Sequence, residues 1–160
     1  MLGLVFYAIG TKGFRKKIGY KKLNGRIVLT ALSYLVIMFV VAFIIGAIFY
    51  ATGQADDLQK VPDALKNAEF LDVLITLLIG SVVEEIFFRG YLQKKTNILF
   101  STFVFAYFHI IYGSLAEIIG AFFLGLILAY SFKRTKNLYV PTISHILYNL
   151  ITVTIIFGIL

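Results

Sequence analysis

The 160 residues are 60% hydrophobic and 14% charged, against about 45–50% and about 25% in a soluble domain. That balance excludes an ordinary water-soluble globule, which would be left with large apolar patches facing water. The net charge is +7 and there is no cysteine, so disulfides and thiolate metal sites are excluded as well.

Lipid is the solvent that suits such a chain, and only helices or closed barrels satisfy the backbone inside it. Period-two alternation is absent, so the expected fold is all-α: a polytopic transmembrane helix bundle with about five spans and a short apolar segment at the N-terminus. Met1 to Gly10 is that segment. It is too short to cross a bilayer, and no small-residue cleavage site follows it. It therefore reads as an interfacial piece or the remnant of another helix rather than a secretory signal.

Seven basic residues and no acid follow, from Lys12 to Arg26. In a chain this apolar the positive-inside rule accounts for them more simply than nucleic-acid binding does, and no nucleic-acid partner is expected. The first span runs from Ile27 to Tyr50, and an acidic loop with Asp56, Asp57, Asp63 and Glu69 comes after it. The second span, Asp72 to Leu92, is followed by Lys94 and Lys95. The third, Asn97 to Tyr112, is short and ends in a tight turn near Gly113.

The fourth span, Leu115 to Phe132, precedes Lys133, Arg134 and Lys136, and the fifth is Val140 to Leu160. If each stretch crosses once, every basic segment falls on one side, which the K/R bias makes cytoplasmic, and the protein is expected to be multi-pass in the cell membrane. Three units follow: residues 1–26, the apolar and basic lead; residues 27–71, the first span with its extracytoplasmic loop; and residues 72–160, a core of four spans. Ala121, Gly125 and Ala129 form a small-residue stripe that lets another helix approach closely. Glu117, near the outer end of its span, reads as interfacial.

The ionisable groups inside apolar helices need a reason, since each costs about 2.5–3.5 kcal/mol near mid-membrane on insertion scales. The second span holds Glu84, Glu85 and Arg89. Glu85 and Arg89, four apart, meet on one face and can neutralise each other. Glu84 is turned about 100° away and needs a partner from another helix. The candidates are the two histidines, His109 in the third span and His145 in the fifth, with Asn149 one turn beyond His145.

At 1.5 Å per residue Glu84 lies about 10 Å from the basic end of its helix, His145 and Asn149 about 8–14 Å, and His109 about 18 Å. Ionisable groups gathered in this way mark a functional site by default.

Three patterns stand in order: Glu84-Glu85-Ile86-Phe87-Phe88-Arg89, Phe105-Ala106-Tyr107-Phe108-His109 and His145-Ile146-Leu147-Tyr148-Asn149. They resemble the EExxxR, FxxxH and HxxxN motifs of the CPBP (Abi) intramembrane glutamic endopeptidases, the type II CAAX prenyl endopeptidase and bacteriocin-immunity family. The resemblance covers residues 72 to the C-terminus; family members commonly carry more helices ahead of the first motif than the single span read here.

The resemblance implies a peptidase that cleaves a membrane-embedded or lipid-modified peptide without a cofactor. Glu84 and His109 would hold and deprotonate a water, His145 and Asn149 would stabilise the oxyanion, and Glu85, Arg89 and Phe105 would support them. A zinc ion on Glu84, His109 and His145 is the rival chemistry, although no HExxH signature is present. Two other classes stay open: a non-catalytic immunity or binding protein of the same family, and a proton-coupled transporter. The latter lacks the paired broken helices and repeats expected of it.

Overall fold

The computed structural model describes residues 12–160, so the expectation for Met1 to Gly10 lies outside the described residues. Among the described residues every regular element is helical. Helix α1 (Lys12–Ile18) leads into α2 (Gly25–Ala51), whose N-cap Asn24 accepts a hydrogen bond from the Ile27 amide at 3.0 Å. Helix α3 (Ala55–Lys66) follows, then α4 (Phe70–Glu84). The helix beginning with α4 does not stop at Glu84. It widens into a π-helical segment (Glu85–Leu92) and closes with Gln93–Lys95.

Asn97 caps α5 (Ile98–Phe108) by accepting from the Phe100 amide at 2.9 Å, and a 3₁₀ turn (His109–Tyr112) ends that rod. Helices α6 (Leu115–Thr135) and α7 (Tyr139–Ile156) complete the chain.

All five apolar stretches of the sequence therefore form helices, the fifth ending at Ile156 rather than at Leu160. Three helices, α2, α6 and α7, are each long and apolar enough to cross a membrane, near the ~20 residues that ~30 Å of hydrocarbon requires. The stretch beginning with α4 is broken into α and π pieces, and Ile98–Tyr112 is the short one. Large apolar side chains cover the outside, Phe43 and Ile111 among the most exposed. In water such a surface would drive aggregation, whereas acyl chains solvate it. This is an all-α membrane bundle.

The helices close into a ring. Helix α7 packs between α2 and α4, α6 between α2 and α5, and the π segment touches α5. The small-residue stripe of α6 makes the α5 contact close: Ala121 and Ala129 are buried. A Cβ built on Gly125 would come within 2.9 Å of Phe105 and 3.4 Å of the Arg89 Nη2 atom.

The acidic loop holds an element that the sequence reading missed, the amphipathic helix α3. Asp56 and Asp57 sit in its first turn and Lys66 in its last, the charge order that the helix dipole favours. Asp57 also reaches out of its helix to the start of α6. Its Oδ2 accepts from the Ala116 amide (2.7 Å) and the Ser114 hydroxyl (2.9 Å), and Lys60 donates to the Gly113 carbonyl (3.1 Å). The Ala116 hydrogen bond, then the Lys60 ammonium, holds the Asp57 carboxyl down at about 2. The loop is thus tied over the end of the bundle opposite the basic segments.

Candidate functional site

The site is built from the second, third and fifth apolar stretches, with α6 behind them. The π segment begins at Glu85, and such widened turns are frequent at functional positions. Glu85 is sealed completely, as is Arg89 one turn on; Oε1 of Glu85 lies 3.1 Å from Nη1 of Arg89. The neutralising pair expected from the four-residue spacing is present. Arg89 is held further by donating from Nη2 to the Gly125 carbonyl (3.2 Å), with its guanidinium carbon 4.3 Å from the Phe105 ring centroid. Phe105 is buried and also faces both imidazoles, with centroids 4.6 Å from His109 and 6.2 Å from His145.

The same Glu85 oxygen accepts from Nδ1 of His145 at 2.9 Å. This bond fixes the imidazole: with Nδ1–H committed to a carboxylate, Nε2 is the atom left to act. Nε2 lies 3.8 Å from Oε2 of Glu84. The missing partner for Glu84 is thus supplied by α7, and a continuous polar chain runs Arg89, Glu85, His145, Glu84.

His109 is oriented in a similar way by a different group. Its Nδ1 is 2.9 Å from the Phe105 carbonyl oxygen. A carbonyl only accepts, so Nδ1 carries the proton and the neutral ring presents the Nε2 lone pair. The bond also folds the ring back by one turn toward the start of α5, the direction helical side chains lean. That fold-back shortens the depth difference between His109 and Glu84 that a rise count along straight helices suggests. Asn149 donates from Nδ2 to the Ser81 hydroxyl (2.9 Å), and Ser81 in turn donates to the Leu77 carbonyl (2.7 Å). The second N–H of the amide is not used by this bond.

Glu84, His109, His145 and Asn149 all line one cavity of 140 Å³. A single water needs about 10–15 Å³ measured in this way, so the space takes a water and part of a chain. A second cavity of 170 Å³ shares His109, His145 and Asn149 and extends toward α2, where Met38, Ala42 and Gly46 form its apolar wall. Leu58 of α3 borders one cavity, Val61 and Leu65 the other. Among the described residues no group of three His, Cys, Asp or Glu side chains is gathered as metal ligands, so Glu84, His109 and His145 do not form a ready zinc site here.

Two cavity residues were not identified from sequence. Tyr148 and Glu117 line both spaces. Ser114-Leu115-Ala116-Glu117 has the form of a capping box, in which the acid bends back to the helix start. Here Asp57 bonds the hydroxyl of Ser114 and the amide of Ala116 instead, and the Glu117 side chain borders the cavities. The Ser-x-x-Glu pattern beside an aspartate-rich loop was the available signal. Ser81, one turn before Glu85, was read only as part of the apolar helix.

Residues 66–151 match the family described as "Type II CAAX prenyl endopeptidase Rce1-like". A Bacillus subtilis (strain 168) protein described as "Putative membrane peptidase YdiL" is 26% identical over 140 residues, covering 82% of this chain and 57% of its own length. The chain thus spans little more than half of that relative. No solved structure matches.

Proposed function

The chain belongs to the Rce1-like family of type II CAAX prenyl endopeptidases, and from that premise we propose that it is an intramembrane glutamic endopeptidase, hydrolysing a peptide bond of a membrane-associated protein or peptide. The observation that carries the reading is the shared cavity: Glu84, His109, His145 and Asn149 line one space within an apolar bundle. The Bacillus relative described as a "Putative membrane peptidase" agrees with it.

In this mechanism Glu84 and Nε2 of His109 hold a water between them, and Glu84 takes its proton as the oxygen attacks the scissile carbonyl carbon. The carbonyl π electrons move onto oxygen, giving a tetrahedral oxyanion. Nε2 of His145 and the spare N–H of Asn149 donate to it. Because Nδ1–H of His145 already bonds Glu85, donation from Nε2 requires the imidazolium. The Glu85 carboxylate stabilises that charge as the buried aspartate of a serine-protease triad does. Collapse breaks the C–N bond, the Glu84 proton passes to the leaving amine, and carboxylate and amine products separate. Burial in a low-dielectric bundle strengthens each of these electrostatic contacts.

The substrate is a membrane-embedded or lipid-modified peptide, and the site lies in the cell membrane with the lysine-rich face toward the cytoplasm. The test is purified protein in detergent against a panel of membrane peptides, prenylated and plain, with products identified by mass spectrometry. Wild type is expected to cut at least one peptide with or without a tight chelator, and His109→Ala is expected to be slower by about 10²–10⁴-fold. Chelator-abolished cleavage restored by zinc would replace the glutamate mechanism with a metal one. Full activity in a folded His109→Ala sample would remove His109 from the chemistry.

A further inference from the structure

Three basic segments that are distant in sequence converge on one cleft, at the end of the bundle away from α3. Lys16 and Lys21 come from α1 and the loop after it, Lys94 from the end of the second apolar stretch, and Lys133 and Lys136 from the end of α6. Together they line a space of 680 Å³ with no acidic side chain on it among the described residues.

The walls are fixed by packing. Lys94 donates to the Lys17 carbonyl at 2.9 Å and lies 5.4 Å from the Phe132 ring centroid. Gly19, at φ +116°, lets α1 press on that ring: a Cβ there would come within 2.9 Å of it, in a conformation L-residues avoid. The Asn137 side chain bridges the next turn, accepting from the Lys21 amide (3.3 Å) and donating to the Lys22 carbonyl (3.0 Å).

Charges of one sign held around one cleft repel each other unless a counter-charge sits between them. Lys94 registers this crowding: its ammonium is pushed below its usual value by burial first, then by Lys21 and Lys136. The cleft also lies where the apolar helices end, at the level where a bilayer presents its headgroups. Basic pockets between transmembrane helices at that level suit anionic headgroups.

We propose that this cleft binds a phosphate group, carried by the headgroup of an anionic phospholipid or, by the same chemistry, by a free phosphate ester. Lysine ammoniums serve phosphate as point charges, and the space is far larger than a bare ion needs. Ile98 and Phe132 add apolar surface to its lining. The proposal stands apart from the peptidase chemistry and holds or fails without it.

The experiment is native mass spectrometry of the delipidated full chain titrated with phosphatidylglycerol or phosphatidylcholine. One saturable equivalent of phosphatidylglycerol, bound at least tenfold tighter than phosphatidylcholine, is expected. The combined change Lys21→Gln, Lys133→Gln and Lys136→Gln should weaken it about a hundredfold, near fivefold per lysine. A control on the same face, Lys17→Gln, Lys22→Gln and Lys95→Gln, removes equal charge away from the cleft and should weaken it less than tenfold.

Competition by millimolar glycerol 3-phosphate would identify a free phosphate ester as a ligand, and lipid retained against it would identify the membrane headgroup. Equal loss in the two triple variants would reduce the effect to diffuse surface charge and overturn the proposal. So would equal binding of the two lipids by wild type, a result that stands even if the variants misfold.

Discussion

Glu84 and Glu85 are neighbours in the chain and opposites in environment. Glu85 is fully buried between a guanidinium and an imidazole, while the Glu84 side chain keeps 36% of its surface and looks into a cavity. The difference follows from helix geometry, since adjacent side chains point about 100° apart. One is packed between neighbouring side chains and the other borders the cavity. The lesson is that two carboxylates in one apolar helix can divide the work: a sealed layer of Arg89 and Glu85 holds His145, and an open layer of Glu84 and His109 is the one proposed to react. The sealed layer is electrostatic rather than saturated, because Oε2 of Glu85 and Nη1 of Arg89 are buried without a hydrogen-bond partner among the described residues.

The comparison can be broken most heavily from the sealed side. Arg89→Ala leaves the Glu85 charge buried with no cation, a change that costs about 3–5 kcal/mol. It should appear as a large drop in the thermal midpoint in detergent, with activity lost as a consequence of unfolding. Asn149→Leu acts on the open layer instead. It should lower turnover by about 10²–10³ through loss of the proposed oxyanion donor, read by kcat at saturating peptide, with a smaller midpoint drop than Arg89→Ala because only the bond to Ser81 goes with it.

Gly125→Ala pushes a methyl toward Phe105 and Arg89 at 2.9 and 3.4 Å. Overpacking of this kind costs about 1–3 kcal/mol, and because the displaced groups belong to the sealed layer, activity should fall with stability. The smallest effect is expected outside both layers. The Asp57 carboxyl, held at about 2, contributes stability that is complete above its ordinary value near 4 and is lost as pH falls from there through 2. Asp57→Asn should flatten the midpoint-versus-pH curve over that window while leaving the curve above pH 5 parallel to wild type.

Much of this division was legible in the residues. The spacing of Glu85 and Arg89 announces the pair, and the 100° offset announces that Glu84 needs a partner from elsewhere. The five apolar stretches gave the helices because a 20-residue run has few other solutions in lipid. What stayed hidden depends on contacts between stretches. Nothing in the sequence says that Nδ1 of His145 is held by Glu85 rather than Glu84, since both acids are within a turn of each other.

The acidic loop gives no apolar periodicity strong enough to separate α3 from a solvated connection, and its docking through Asp57 is tertiary. Glu117 read as interfacial because its distance from the helix end says nothing about which way it faces. The lysine cleft is the clearest case: residues 16–21, 94 and 133–136 each read as ordinary loop charge, and only the ring closure brings them together.

Glu84→Gln tests the account most directly, because it keeps the shape and size of the side chain and removes only the charge and basicity of the carboxylate. Cleavage of a membrane peptide by purified wild type and variant should be followed in the same detergent, with thermal midpoints measured alongside. The account predicts a rate lower by about 10²–10⁴-fold at an unchanged midpoint, since the open layer carries little of the fold. A folded variant that cuts as fast as wild type would contradict it.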